Sequence, residues 1–211
     1  KKNPLYPFLI YRDLSKINYD LFISPGFFPP SKSITSIIFF YDMGHIKNYS
    51  IFHKLQMFLI RPFYGNTSLI ITDSDSVKKE LKYWLRGIDV SIKRIYLGSP
   101  FKNVKKNYKF NNLSKENSND NYLIYPSNFR SHKNHENLIK AFCLISNLND
   151  NFKLYLTGFG PQKIINLARS NGVLNKIKFL GEIDDNSLIN YYLNSSGLIF
   201  PSLYEGFGLP L

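Results

Sequence analysis

At 211 residues with 44% hydrophobic side chains, the chain is long enough for one large or two small globular domains and too apolar to be disordered. Lysine and arginine number 27 against 15 aspartates and glutamates, a net charge of +12. That balance favours phosphates, nucleic acid or an anionic membrane as partners, unless it only reflects a Lys-, Asn- and Ile-rich composition without one dense basic block. The single cysteine, Cys143, excludes an internal disulfide framework, and no apolar run reaches the ~20 residues needed to span a bilayer.

In chain order, Pro4 to Lys16 reads as a helix and Tyr19 to Ile23 as a strand, closed by the rigid loop Ser24-Pro25-Gly26-Phe27-Phe28-Pro29-Pro30. Ser36 to Phe40 is a second strand, ending at Tyr41-Asp42. Helical spacing runs from Ser50 to Phe63, a strand from Ser68 to Thr72, a helix from Ser76 to Leu85, and a fourth strand from Lys93 to Leu97. Residues 101–121 are rich in Asn, Lys and Ser and break the rhythm, which marks them as a linker. Alternation then resumes: strand Tyr122–Tyr125, helix His135–Leu148, strand Phe152–Thr157, helix Pro161–Ser170, strand Lys176–Leu180, helix Asp184–Leu193 and a short apolar strand Gly197–Phe200. Alternating strand and helix argue for mainly parallel sheets. The expected organisation is therefore an α/β chain with a partial N-terminal Rossmann-like domain over 1–100, a linker over 101–121, and a partial C-terminal Rossmann-like domain over 122–211. The chain starts on Lys1 in mid-pattern, so it is expected to be a fragment lacking both ends.

Two stretches follow strands and carry chemistry. In Tyr125-Pro126-Ser127-Asn128-Phe129-Arg130-Ser131-His132-Lys133-Asn134, Arg130 and Lys133 set two cations near a helix start. Fixed cations stabilise the charge that grows on a diphosphate leaving group, and arginine grips such a group with two hydrogen bonds. In Pro201-Ser202-Leu203-Tyr204-Glu205-Gly206-Phe207-Gly208-Leu209-Pro210, two glycines follow an acid at the carboxyl end of a strand. Ligands of open α/β sheets sit at that edge. Gly158-Phe159-Gly160 closes another strand, either as a close approach to a nucleotide or as a tight turn.

These stretches resemble the family 4 glycosyltransferases, retaining enzymes of the GT-B fold, with mannosyltransferase-like motifs. Pro201, Ser202, Glu205, Gly206, Phe207, Gly208, Leu209 and Pro210 match the family signature; its second Glu would fall two residues past Leu211. The segment from Ser127 to Asn134, with Leu138, Ile139, Ala141 and Phe142, is similar to the family's Gly-Asn-Phe-Arg-Pro-His-Lys-Asn run and its tail, with Ser127 in place of Gly and Ser131 in place of Pro. Leu156 to Gly160 and Phe179-Leu180-Gly181 also resemble family segments that edge the nucleotide, and Ser24-Pro25-Gly26-Phe27 resembles a family loop. The family usually has His-Asp where this chain has Tyr41-Asp42, so no catalytic histidine carries over.

The resemblance implies two Rossmann-like domains whose parallel sheets face a cleft, and a metal-independent hexosyltransferase of mannose or glucose type. Asn128, Arg130, Lys133, Gly158, Gly160, Gly206, Phe207, Gly208 and Leu209 would bind the donor, and Glu205 would hold its sugar. Asp42 would orient an acceptor hydroxyl, or only cap its loop. The implied partners are a nucleotide-sugar donor, a surface-glycan or lipid-linked acceptor, and an anionic membrane. The implied setting is the cytoplasm at the inner membrane face, in polysaccharide or lipopolysaccharide assembly. No cofactor and no metal are expected. Asp73-Ser74-Asp75 looks like a metal motif of another fold, but Ser and Asp there are ordinary helix caps. The alternatives are a non-transferring relative such as a nucleotide-sugar epimerase and a basic nucleic-acid-binding α/β module. No RNA-binding strand pair is present, so no nucleic acid is expected.

Overall fold

A computed structural model of the chain describes residues 6–14, 16–47, 51–98, 121–148 and 151–210. They form two compact units, residues up to 98 with Glu205–Gly208 and residues 121–204 with 209–210. The expected linker, but for Asn121, lies outside the described residues.

The first unit opens with helix α1 (Tyr6–Leu14) and carries a parallel sheet in the order β1 (Phe22–Ser24), β2 (Ile34–Phe40), β3 (Thr67–Thr72), β4 (Ser91–Arg94). Ile38, Phe40 and Ile70 are buried in the sheet, and Met57, Ile60, Val77 and Leu81 bury the inward faces of helices α3 (Ile51–Ile60) and α4 (Asp75–Trp84). A one-turn helix α2 (Gly44–Lys47), too short to leave a periodic signal, follows β2.

Two of the boundaries that move do so for clear physical reasons. The helical pattern expected to Phe63 ends as α-helix at Ile60 and tightens to 3-10 over Arg61–Asn66. Pro62 lacks the N–H that an α-helix would use there. The strand expected at Lys93–Leu97 sits at Ser91–Arg94 because its partner β3 stops at Thr72, which pairs with Arg94.

The second unit is a parallel sheet in the order β7 (Ile177–Phe179), β6 (Phe152–Leu156), β5 (Asn121–Tyr125), β8 (Gly197–Leu198). Helices α5 (His135–Leu148) and α6 (Gln162–Ser170) bury Leu138, Ile139, Phe142, Ile164 and Ala168 with Tyr125, Leu154 and Leu156. The opposite cluster of Tyr122, Ile124 and Tyr155 packs against Leu188, Tyr191 and Tyr192 of α7 (Asp185–Asn194). A sheet covered on both faces explains why its strands read as nearly continuous apolar runs. Both units are thus α/β with four parallel strands, as the alternation predicts.

Candidate active site

Because all four strands of the second unit are parallel, their carboxyl ends share one edge. The loop after β5 leaves that edge and enters α5. Asn128 bends it: its side-chain oxygen accepts from the Arg130 N–H at 3.3 Å, a local turn typical of Asn. Residues Ser131–Lys133 make one 3-10 turn, closed by Lys133 N–H donating to the Arg130 carbonyl at 2.9 Å. Asn134 then takes a left-handed conformation, φ 61°, which Asn tolerates better than most residues, and its carbonyl accepts from Leu138 N–H to start α5. Arg130 is exposed and Lys133 half-buried. Arg130 lines a cavity of about 190 Å³ with Phe129, Ser131, Asn134, His135, Glu136, Asn137 and Ile164.

His135 anchors the loop from inside. It is 4% exposed, with its ring centroid 4.4 Å from Phe129 and 5.0 Å from Tyr125. Its Nε2 lies 3.2 Å from Ser127 Oγ. Burial, then the charge of Lys133, pushes its pKa down to about 4, so the ring is neutral at physiological pH. Ser127, where the resembling family has Gly, is also clipped to the residue after β6: its N–H donates to Thr157 Oγ1 at 2.9 Å, and that hydroxyl donates to the Ser127 carbonyl at 3.2 Å.

The next loops are built by glycine. Gly158 has φ 81° and pairs with Gly181 across an isolated bridge, its N–H donating to the Gly181 carbonyl at 2.8 Å. A side chain on Gly160 would run into the Phe179 ring. Both positions are therefore explained by the turn itself, while their backbones lie on the carboxyl edge of the sheet.

After β8 the chain returns to the β5 loop. Leu203 N–H donates to the His132 carbonyl at 2.8 Å, Asn134 Nδ2 donates to the Pro201 carbonyl at 3.0 Å, and the Tyr125 hydroxyl lies 2.7 Å from Ser202 Oγ and 3.0 Å from the Lys133 carbonyl. The two motif stretches, far apart in sequence, thus meet at residues 132–134 and 201–203. Sequence reasoning missed Tyr125, Thr157 and His135. The only signals were polar or aromatic side chains at strand or helix ends.

In the first unit, Asp42 is exposed and its Oδ1 accepts from Gly44 N–H at 2.6 Å, so it caps α2. Tyr41, also exposed, stacks near Phe39, centroids 6.0 Å apart. Ser74 caps α4 by accepting from Val77 N–H at 3.2 Å, and its hydroxyl donates to the Gly206 carbonyl at 2.7 Å. Asp73 is 4% exposed, and burial, with the charge of Asp42 as a smaller cause, raises its pKa. Of the signature glycines, Gly208 has φ 85°, and a side chain on Gly206 would strike the Tyr41 carbonyl. Glu205 is half-buried, and the Phe207 ring centroid is 6.2 Å from that of Tyr96. Among the described residues, no group of three or more His, Cys, Asp or Glu could hold a metal ion.

Two parallel four-stranded sheets flanked by helices define the GT-B class of α/β architecture. Residues 105–211, just over half of the chain, match the family model described as glycosyl transferases group 1, and the chain belongs to that family. No curated protein matches. Among solved structures, the chain is similar to a sucrose-phosphate synthase from Thermosynechococcus elongatus (18% identity, TM-score 0.69, covering 98% of this chain and 56% of that one). It is also similar to WaaG, a glycosyltransferase involved in lipopolysaccharide biosynthesis (18%, 0.64, 97% and 59%). HepE from Anabaena, solved with UDP and glucose, is a third (16%, 0.62, 96% and 57%). The chain spans between half and two thirds of the length of these three structures.

Proposed function

We propose that the protein is a retaining, metal-independent glycosyltransferase that moves a hexose, of mannose or glucose type, from a nucleotide-diphosphate sugar to a growing surface glycan or lipid-linked acceptor. The observation that carries the reading is the cation-bearing loop 127–134. It leaves the carboxyl edge of a parallel sheet, enters a helix start, and is hydrogen-bonded to the stretch that leads into Glu205. Lys133, with Arg130, neutralises the diphosphate as the glycosidic bond breaks. Backbone N–H groups from Gly206 to Leu209 assist, and Glu205 accepts hydrogen bonds from the sugar hydroxyls. Asp42 uses one carboxylate oxygen to cap α2 and leaves the other to orient the acceptor. The leaving phosphate then takes the acceptor's proton on the same face of the sugar, which retains the anomeric configuration.

The acceptor side of the proposal places the reaction at the inner face of an anionic membrane. Two observations favour it: the net charge of +12, and α3, which exposes Ile51, Leu55, Phe58 and Leu59 at the i, i+4, i+7, i+8 spacing of a single helix face. Among the described residues, no helix is long and apolar enough to cross a membrane.

The test is a panel of nucleotide sugars offered to the complete protein with lipid-diphosphate and glycan acceptors, reading released nucleotide and the anomeric configuration of the product. Turnover of one hexose donor with retained configuration, undiminished by EDTA, is expected. Inversion, or loss of activity to chelation, contradicts the proposal.

A further inference from the structure

Tyr125 ends β5 and is fully buried, yet it keeps a polar atom at its tip. A buried phenol needs partners, and the two it has lie on different stretches. The Lys133 carbonyl, 3.0 Å away, can only accept, so the single phenolic proton goes there. The phenolic oxygen then accepts from Ser202 Oγ–H at 2.7 Å. The resulting chain, Ser202 Oγ–H to Tyr125 O–H to Lys133 C=O, has one direction and leaves no proton unused. Two further bonds brace it, Asn134 Nδ2 to the Pro201 carbonyl and Leu203 N–H to the His132 carbonyl. The ring itself is fixed by Phe200, edge-on with centroids 6.1 Å apart, and by His135 at 5.0 Å.

We propose that Tyr125 is a positioning residue for the donor site: its hydroxyl holds the main chain of Lys133 against Ser202, so that the diphosphate loop is set before the nucleotide arrives. This rests on the reading of residues 127–134 as the diphosphate site. A lysine ammonium rides on a flexible four-carbon stem, and its reach is defined only as well as the Cα that carries it. Lys133 closes a single 3-10 turn and precedes a residue with positive φ, so helix bonding alone does not fix it. Preorganisation of this kind reduces the ordering cost of binding.

The test uses the complete protein, with UDP and GDP as calorimetric probes and the donor as kinetic probe. Tyr125→Phe keeps the ring packing and removes only the hydroxyl. The nucleotide that binds the wild type is expected to bind this variant roughly 3- to 10-fold more weakly at a temperature well below unfolding, with donor KM rising more than kcat falls. Ser202→Ala is expected to cost a similar factor, and the double variant no more than either single one. Wild-type affinity in Tyr125→Phe, or losses that add in full, overturns the positioning role even where Lys133→Ala abolishes binding. If Lys133→Ala binds both nucleotides as the wild type does, the diphosphate reading itself falls, and this inference with it.

Discussion

His135 shows how a single buried side chain ties the candidate site to solution conditions. In the unfolded chain it takes up a proton near pH 6.5; in the fold it does so only at about pH 4, because burial and the nearby Lys133 charge oppose protonation. Between those values the unfolded state binds more protons, so stability falls as pH drops through the window, by up to about 3 kcal/mol. Urea unfolding at pH 7.5 and pH 5 is expected to show a larger loss in the wild type than in His135→Gln, which does not titrate; equal losses would contradict this origin. The role of His135 was not legible beforehand. A histidine at the start of an apolar helical pattern reads the same whether exposed or buried, and its burial here depends on Phe129 and Tyr125 closing over it. Lys133 and Arg130 stood out because two cations between a strand and a helix are a local pattern. The Tyr125 hydroxyl did not, because its Ser202 partner is 77 residues away.

Helices and strands were legible where one face had to be apolar. The helix over His135–Leu148 coincides with its periodic pattern, and the second unit's strands follow their apolar runs to within a few residues. Misplaced ends are those that tertiary partners decide. β4 is cut to the length of β3, and β1 is confined to the three residues that pair with β2. Cap chemistry is local: Ser74 and Asp184 each accept from the N–H three residues on. Ser74→Ala is expected to lower the stability of the complete protein by about 1 kcal/mol, seen as a lower urea midpoint with an unchanged slope. An unchanged midpoint would remove Ser74 as a contributor to α4.

At the scale of the whole molecule, each unit closes its own apolar core around four parallel strands. The alternation of strand and helix announced parallel sheets with helices between the strands. It did not announce that Glu205–Gly208 would count with the first unit, since that follows from the Ser74 bond to Gly206 and from a glycine that leaves room for the Tyr41 carbonyl. Family membership rests on the second unit, which contains nearly all the described residues that the family model matches. The central claim is that this unit binds a nucleotide diphosphate through the loop ending at Lys133. Calorimetric titration of the complete protein and its Lys133→Ala variant with UDP and GDP tests it most directly. The account predicts that one nucleotide binds the wild type and that the variant binds it roughly 10- to 100-fold more weakly. Equal affinity in the two proteins would contradict it.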